Sequence, residues 1–329
     1  MRVVAITAHG DLDRLEQQTW PDPEPAPGEV LVEVKACGLN HLDMFVLRGM
    51  PGLPVAMPRV PGGDIAGVVR AVGEGASPGW AGKRVLIDPL ITVGGHRGAL
   101  GEHANGGRCE LFAVPEGNLI EIQGDVGFEQ AAALPIAYGT AHRMMTARGR
   151  VTAGELVLIL GASGGVGTAC VQIAKALGAT VIACAGSRAK LERLRELGAD
   201  HLINTTEEDF SARAWAISGK RGVDVIVNYT GGDTWVPSLR ALKLYGRMLT
   251  CGATAGFDPK TDIRYSWRRQ ASIIGSDGWT RDAILALLDQ VRRGAIRPVI
   301  DRVLPLAEAR EGFRRLRDRE VFGKVIIAP

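Results

Sequence analysis

The chain has 329 residues, of which 46% are hydrophobic, and this length favours two hydrophobic cores. Its 39 basic and 36 acidic residues are mixed along the chain and give a formal charge of +3, too weak a field to specify nucleic acid or membrane surfaces. The five cysteines are scattered and odd in number, and neither a signal peptide nor a membrane-length apolar run is present, so we expect a reduced cytoplasmic protein.

The first part of the chain, up to about residue 124, reads as mostly β structure. Short runs of alternating apolar residues are separated by proline and glycine, which is the pattern of strands joined by turns. The clearest runs are residues 30–34, 65–72 and 84–87. The sequence therefore predicts a β-rich first domain.

From residue 155 onward, apolar strands alternate with amphipathic helices. Strands that are apolar without interruption indicate a sheet covered on both faces. The alternation predicts a doubly wound parallel α/β sheet of six strands. The runs that carry this prediction are strands at 156–160, 180–184, 224–228, 247–251 and 272–274, and helices at 166–177, 189–197 and 235–242.

The last part of the chain lacks the alternation of strand and helix. It contains a helix around residues 283–292, an edge-like strand at 299–304, a basic helix at 307–317 and a closing strand at 324–327. We expect these pieces to return to the first domain. The predicted domains are therefore residues 1–124 with 281–329, and residues 125–280.

A glycine-rich turn lies between the first apolar strand of the second domain and the helix that follows it. Backbone N–H groups and the helix dipole at such a turn can face a pyrophosphate, and glycine allows close approach of the ligand. A bare glycine turn could also serve only packing, but its place in a complete alternating unit favours dinucleotide binding. The candidate phosphate-binding residues are Ser163, Gly164, Gly165, Val166 and Gly167.

The end of the second strand of this domain predicts the form of the dinucleotide. An NAD site is expected to place Asp or Glu there, but the stretch contains Gly186, Ser187, Arg188 and Lys190, with no carboxylate before position 192. A hydroxyl and two cations favour the 2′-phosphate of NADP, unless Arg188 and Lys190 are only solvated residues that open a helix. Lys175 could reinforce the phosphate site or simply solvate its helix.

Several spaced motifs resemble the medium-chain dehydrogenase/reductase superfamily, which includes alcohol dehydrogenases and quinone oxidoreductases. They occur in the family's order over nearly the whole chain. The resemblance implies a GroES-like β-rich catalytic domain and a Rossmann domain, with the active site in the cleft between them. The motifs are residues 38–43 with 48–49, 60–67, 131–135 with 140–141, 164–167 with 174–179, and 323–325.

The zinc-dependent alcohol dehydrogenases of that family bind a catalytic zinc through Cys, His and a further Cys or Asp at three of these motifs. This chain has Asn40, Gly63 and Ile136 there, and none supplies a thiolate or an imidazole. The lobe that would hold a structural zinc contains only Cys109. Other ligand types lack a tight spacing, so zinc is not expected; they are His41, Asp43, Asp64, His96, Glu102 and His103.

Without a metal to stabilise an alkoxide, simple alcohol oxidation is disfavoured. A quinone or an α,β-unsaturated carbonyl accepts hydride more readily, because the developing charge spreads to a distant oxygen that hydrogen-bond donors can stabilise. The chain resembles the zinc-free quinone oxidoreductases of the family, including the Gly-Leu-Asn at residues 38–40. We therefore predict NADPH-dependent reduction of such compounds, with the protein positioning the cofactor.

The resemblance also suggests residues for the active site, each with a plainer alternative. Asn40 could orient the nicotinamide or the substrate oxygen, or form a turn. Asp43 could be catalytic, or could scaffold the cleft in an ion pair with Arg48. Phe45, at a position where many relatives have tyrosine, could form a wall of the pocket. Tyr138 could contact the substrate or pack against its neighbours, and Thr140 could lie near the nicotinamide or be an N-cap. Gly252, Ala253 and Lys324 could lie near the cofactor; otherwise Gly252 and Ala253 form a turn and Lys324 is a surface lysine.

Two rival functions remain open. One is an alcohol or aldehyde dehydrogenase that binds zinc in an atypical way. The other is a cofactor-bound RNA-binding or regulatory protein, supported only by the basic helix at residues 310–319, whose charge is diluted by carboxylates. The family commonly dimerises along the strand that corresponds here to residues 272–275, so we also expect a homodimer that acts on a small carbonyl or quinone substrate.

Overall fold

The computed structural model describes residues 1–50 and 54–329 of the chain. Two compact units are formed: Met1–Ile136 with Ile284–Pro329, and Ala137–Ala283. The sequence placed these boundaries after residues 124 and 280.

The described strands are β1 (Arg2–Ile6), β2 (Leu15–Thr19), β3 (Glu29–Gly38), β4 (Asp64–Val72), β5 (Arg84–Ile87), β6 (Leu90–Val93), β7 (His96–Ala99), β8 (Leu111–Pro115), β9 (Leu119–Glu121), β10 (Leu156–Ile159), β11 (Thr180–Ala185), β12 (His201–Asn204), β13 (Val223–Val227), β14 (Leu242–Thr250), β15 (Ser272–Gly275), β16 (Ile300–Pro305) and β17 (Lys324–Ala328).

The described α-helices are four to twelve residues long. Two π-helical segments, Leu134–Tyr138 and Arg143–Arg148, flank α3 and were not predicted from the sequence. No described helix has the length and the apolar character that crossing a bilayer requires. The α-helices are α1 (His41–Arg48), α2 (Phe128–Ala132), α3 (Gly139–His142), α4 (Gly165–Ala176), α5 (Arg188–Glu196), α6 (Phe210–Ile217), α7 (Trp235–Ala241), α8 (Ile263–Arg269), α9 (Arg281–Arg292) and α10 (Ala309–Arg317).

The first unit is built on a seven-stranded sheet in the order β16-β17-β3-β4-β5-β9, with β8 beside β3. Along β3 the apolar residues Val30, Val32 and Val34 are buried at every second position, as expected for a strand with one face in the core. β3 is antiparallel to both β4 and β17, and Gly38 pairs with Asp64 on one side and Ile326 on the other. The ends of three strands that are distant in sequence therefore meet.

The second unit is a six-stranded parallel sheet in the order β12-β11-β10-β13-β14-β15. Val157, Leu158 and Ile159 of its central strand β10 are completely buried, so helices cover both faces. The predicted doubly wound α/β fold is confirmed. The sheet's carboxyl edge carries the loops after each strand, which is where ligands bind in such folds.

The last part of the chain belongs to the first unit. β17 runs parallel to β16 and antiparallel to β3. α10 covers this end of the sheet, and its Phe313 is fully buried with Val325 and Ile327 of β17 in one cluster. β17 therefore places Lys324 next to the ends of β3 and β4.

Candidate functional site

The glycine-rich turn connects the carboxyl end of β10 to α4. Gly161 has a φ of +60°, and the Gly164 N–H donates to the Gly161 carbonyl over 3.1 Å, which closes the turn. Gly164 is the N-cap of α4 and leaves the first helical N–H groups without a side-chain cap. These N–H groups and the positive end of the helix dipole form a site for an anion.

The glycines of the turn have different steric roles. A Cβ on Gly167 would lie 2.5 Å from the Gly161 carbonyl oxygen, so a glycine is needed there for α4 to pack on the turn. A Cβ on Gly164 would meet only that same oxygen, at 3.7 Å, and otherwise open space. Position 164 therefore leaves the backbone open to a ligand, and the turn fits a dinucleotide pyrophosphate.

A tyrosine that was not a sequence candidate supports this turn. Tyr229 follows β13, and its hydroxyl donates to the Gly161 carbonyl over 2.8 Å. Burial raises the pKa of Tyr229 well above its usual value, so the hydroxyl stays protonated and keeps donating. The sequence signal for Tyr229 was its position just after β13, which adjoins β10, because residues that follow these parallel strands lie at the same edge of the sheet as the turn.

The predicted ribose position lies at the N-terminus of α5. Ser187 is the N-cap, and its Oγ accepts a hydrogen bond from the Lys190 N–H over 3.4 Å. Arg188 is 82% exposed and contacts the half-exposed Glu207 at 3.3 Å, so the guanidinium can exchange this carboxylate for another anion at little cost. Gly186 lies beside Thr206, whose Cγ2 would be 3.5 Å from a Cβ at that glycine. The loop that follows β12 therefore borders this site.

Lys175 is brought neither to the predicted 2′-phosphate site, which follows the end of β11, nor to the glycine turn. It lies near the far end of the 12-residue helix α4, about 15 Å along the axis from Gly165. Its ammonium donates to both oxygens of Asp200, over 2.9 and 2.8 Å, and to the Ala179 carbonyl over 3.2 Å. The interpretation of Lys175 as a phosphate ligand is therefore replaced by an ion pair at the other end of the helix.

A buried ion pair holds the start of α1 in the first unit. Asp43 Oδ2 accepts from the Asn40 backbone N–H over 2.9 Å and from Arg108 Nη2 over 2.6 Å. Asp43 Oδ1 accepts from the Gly62 N–H over 2.9 Å. Asp43 is 3% exposed and Arg108 is not exposed. Asp43 is thus part of the scaffold, and its partner is Arg108 rather than the predicted Arg48.

A second buried ion pair joins β17 to the ends of β3 and β4. The Lys324 ammonium donates to the Leu39 carbonyl over 2.9 Å, to Asn40 Oδ1 over 2.6 Å and to Asp64 Oδ2 over 2.9 Å. These three acceptors match its three protons. Asp64 also accepts from Asn40 Nδ2 and from the Ile136 N–H, both over 2.8 Å. We call Asn40, Asp43, Asp64, Arg108 and Lys324 the buried network.

The buried network changes the interpretation of two predicted site residues. Lys324 is 2% exposed and has an acceptor for every proton, so it is neither a surface lysine nor free for a phosphate. Asn40 uses its Oδ1 on Lys324 and one Nδ2 proton on Asp64. One Nδ2 proton remains for a ligand, and the two ion pairs fix the orientation of the amide.

The three positions that correspond to zinc ligands are neighbours in the first unit, but their donor set does not fit zinc. Asn40 is hydrogen-bonded to an ammonium, and a Cβ on Gly63 would lie 2.9 Å from Ile136 Cδ1 and from the Leu100 carbonyl. An imidazole at position 63 would therefore collide with its neighbours. Among the described residues no three His, Cys, Asp or Glu side chains cluster as metal ligands, and the side chain of His96 lies outside this description.

The remaining candidates differ in what they can offer a ligand. Tyr138 is fully buried and its hydroxyl accepts from Gln172 Nε2 over 3.2 Å, which favours packing. Thr140 lies inside α3, whose N-cap is Tyr138, so the N-cap interpretation of Thr140 is wrong. Phe45 is half-buried on α1. Gly252 and Ala253 follow β14, and Gly252 lines a pocket at the carboxyl edge of the second unit.

The basic helix predicted near the end of the chain is α10, and its arginines contact carboxylates. Arg314 pairs with Glu311, Asp318 and Glu320, over distances of 2.7 to 2.9 Å. Arg315 pairs with Glu311 at 2.7 Å. The positive charge of this helix is therefore compensated locally, which does not favour a nucleic-acid surface.

Comparisons with known proteins bear on this arrangement. The family model for the alcohol dehydrogenase GroES-like domain matches residues 26–124, and the model for zinc-binding dehydrogenase matches residues 165–293. The quinone oxidoreductase of Rattus norvegicus is 30% identical over 94% of this chain and 92% of its own length. The synaptic vesicle membrane protein VAT-1 homolog of Homo sapiens is 29% identical over 100% of this chain and 86% of its own. A crystal structure of an NAD-dependent alcohol dehydrogenase is 38% identical, with a TM-score of 0.93 and full coverage of both chains.

Proposed function

Because the chain belongs to the medium-chain dehydrogenase/reductase superfamily and is therefore an oxidoreductase, we propose that it reduces quinones or α,β-unsaturated carbonyl compounds with NADPH and without a catalytic zinc. The observation that carries this proposal is the donor set at the three positions of the zinc ligands. Asn40 faces the Lys324 ammonium, and Ile136 fills the space beside Gly63. A conjugated acceptor suits such a site because its developing charge needs no metal.

NADPH, when bound, supplies the hydride, and the chain supplies the binding groups. We assign the pyrophosphate to the N–H groups of residues 163 and 165–167, since the open face at Gly164 supports close approach there. Asn40 would orient a carbonyl or amide oxygen through its remaining Nδ2 proton. Thr140, 7% exposed, would offer its hydroxyl near the nicotinamide.

The buried network would serve this mechanism by pre-organisation. It contains two cations and two carboxylates, so it is neutral as a whole, and both carboxylates accept three hydrogen bonds each. Such carboxylates are poor general bases because their lone pairs are occupied. We therefore assign Asp43 and Asp64 to positioning Asn40 rather than to proton transfer.

Preference for NADPH is supported by the ribose position, where Ser187 and Arg188 replace a carboxylate. We expect the double variant S187A/R188Q to lower kcat/KM for NADPH by about tenfold to a hundredfold while kcat/KM for NADH changes little, because charge-assisted hydrogen bonds to the 2′-phosphate are lost. Steady-state kinetics with both cofactors measure this. The control is R195Q, which removes another exposed arginine of α5 that pairs with Glu192. An equal loss with both cofactors would contradict the assignment.

A second candidate, alcohol oxidation with NAD, is favoured by one observation. One similar crystal structure that covers the whole chain is of an NAD-dependent alcohol dehydrogenase. Purified protein should therefore be tested with NADPH and NADH against a panel of quinones, enones and aldehydes, with NADP⁺ and NAD⁺ against alcohols, and analysed for metal. We expect NADPH-linked reduction of conjugated acceptors and zinc well below one equivalent. Stoichiometric zinc with alcohol oxidation would establish the second candidate instead.

We also propose a homodimer and a cytoplasmic location. β15 is the edge strand of the parallel sheet, and its Ile273 is 44% exposed, so its free backbone groups can pair with a second copy. The five free cysteines, of which four are buried, suit a reducing compartment.

A further inference from the structure

A carboxylate reaches the ribose position from the neighbouring strand of the parallel sheet. Glu207 lies in the loop between β12 and α6. Its Oε1 and Oε2 accept hydrogen bonds from Arg188 Nε and Nη2, each over 3.3 Å. A guanidinium binds a phosphate with this same paired geometry. A phosphate at Arg188 and the carboxylate of Glu207 therefore need the same two nitrogens.

The loop that carries Glu207 is held at both ends. At its start, the Glu207 N–H donates to the Asn204 carbonyl over 3.1 Å, and the Thr206 hydroxyl donates to Asn204 Oδ1 over 2.8 Å. Asn204 is itself buried at the end of β12. At the other end, Asp209 caps α6 by accepting from the Ser211 N–H over 2.8 Å. The backbone thus fixes the place of residue 207, and only its side chain can turn away from Arg188.

The same loop borders the stretch that follows β11. Asn204 and Ala185 are paired at the ends of the parallel strands β12 and β11, so both loops leave the sheet at the same edge. A Cβ on Gly186 would lie 3.5 Å from Thr206 Cγ2. The ribose position therefore contains a carboxylate as well as cations, although the stretch after β11 supplies no carboxylate of its own.

The contact between Arg188 and Glu207 is weak enough to be exchanged. The two side chains are 82% and 48% exposed, and ion pairs with such exposure contribute little to stability. A 2′-phosphate carries a charge of about −1.5 to −2 at neutral pH, so it is a stronger partner for a guanidinium than a carboxylate is. When the phosphate binds, Glu207 loses Arg188 and its charge repels the phosphate from nearby.

NADH does not require this exchange. It has no 2′-phosphate, so Arg188 can keep its contact with Glu207 while the rest of the dinucleotide binds. The unfavourable free energy of separating the pair, and the repulsion that follows, therefore oppose NADPH alone.

We propose that Glu207 is a specificity-determining residue of the cofactor site, because its carboxylate competes with the 2′-phosphate for Arg188 and so narrows the preference for NADPH over NADH. The proposal rests on the function proposed above and concerns cofactor choice at that same site. In the protein without cofactor, Glu207 takes the place of the phosphate at Arg188.

Calorimetric titration of the intact protein with NADP⁺ and with NAD⁺ tests this competition, because the two ligands differ only in the 2′-phosphate. Glu207→Gln keeps the shape of the side chain and removes its charge. We expect this variant to bind NADP⁺ about threefold to tenfold more tightly than wild type does, and to bind NAD⁺ within about twofold of wild type. Unchanged affinity for NADP⁺, or an equal gain for NAD⁺, would overturn the proposal.

Glu208→Gln is the matched control in the same loop. Glu208 pairs with Arg213 at 3.4 Å and is 40% exposed, so it resembles Glu207 in position and exposure but contacts a different arginine. Both affinities should stay as in wild type. A gain for NADP⁺ as large as that of Glu207→Gln would mean that carboxylates of this loop act only by repulsion at a distance, which would overturn the competition.

Arg188→Gln shows whether Glu207 acts through the guanidinium. This variant should bind NADP⁺ more weakly than wild type, and adding Glu207→Gln to it should recover much less than the gain seen in the presence of Arg188. The full gain in the absence of Arg188 would overturn the proposal.

The binding measurements also separate this proposal from the proposed reaction. If Glu207→Gln strengthens and Arg188→Gln weakens the binding of NADP⁺ while no quinone or enone is reduced, the competition stands and the reaction fails. If the protein reduces conjugated acceptors with NADPH and Arg188→Gln weakens NADP⁺ binding, but Glu207→Gln changes nothing, the reaction stands and the competition fails.

Discussion

Lys324→Met is expected to lower the free energy of unfolding of the first unit by about 3–5 kcal/mol, because it leaves Asp64 buried without a cation. Asp64 is not exposed, and its Oδ2 is 2.9 Å from the ammonium. The substitution also removes the donors to Asn40 Oδ1 and to the Leu39 carbonyl. Methionine has a similar length, so packing contributes little to the loss. Urea unfolding followed by tryptophan fluorescence and circular dichroism measures the change.

Two further variants separate the buried charge from a general effect of losing lysine. Lys83→Met removes an ammonium that pairs with Glu121 at 2.8 Å but is 40% exposed, so a loss within about 1 kcal/mol is expected. Adding Asp64→Asn to Lys324→Met removes the uncompensated charge and should restore part of the stability. If Lys324→Met costs no more than Lys83→Met, the buried network does not stabilise the first unit as described.

Gly164→Ala is expected to weaken NADPH binding by about tenfold to a hundredfold while leaving the unfolding midpoint near that of wild type. The methyl group would meet only the Gly161 oxygen at 3.7 Å, so the folded chain accommodates it. It would nevertheless stand between the backbone N–H groups and a phosphate, and losing one such charge-assisted bond accounts for the expected factor. Fluorescence titration with NADPH measures the affinity.

Gly167→Ala is the matched variant in the same turn and should behave differently. Its Cβ would lie 2.5 Å from the Gly161 oxygen and 2.6 Å from the Ala162 backbone, so α4 must shift. We expect a loss of about 1–3 kcal/mol in stability together with weaker binding. Wild-type affinity in Gly164→Ala would mean that the turn does not contact the dinucleotide.

The second unit was largely predictable because its signals are local. Uninterrupted apolar strands and amphipathic helices are visible within short windows, and the turn between β10 and α4 lies in the middle of one such unit. The strand that was not delimited is β12, in which His201 is exposed and only Ile203 and Asn204 are buried. A short, mostly polar edge strand gives too weak a periodicity to be recognised.

The buried network was less predictable because it depends on strand pairing between distant parts of the chain. Arg48 was the natural partner for Asp43 by proximity in sequence, whereas the structure uses Arg108, which follows a run of glycines. Lys324 meets Asn40 and Asp64 only because β17 pairs with β3 and β3 with β4. No sequence pattern within one segment predicts this contact, although a charged residue in an apolar strand indicates that it has a partner.

For Lys175 the position in a family motif suggested a phosphate-binding role that the structure does not support. A lysine on the helix after a glycine turn invites a phosphate role, but only the first turn of a helix faces that turn. Its ion pair with Asp200 serves the packing between α4 and the segment before β12 instead. Counting the rise along the helix would have removed Lys175 from the candidates.

The discontinuity of the first unit has a consequence for the order in which the protein is made. The second unit is one continuous stretch, Ala137–Ala283, and can fold on the ribosome as soon as it emerges. Asn40 and Asp64 are synthesised long before Lys324, at about 5–20 residues per second, so Asp64 lacks its cation for many seconds. The nascent first unit therefore reaches its stable form only after the second unit has been completed.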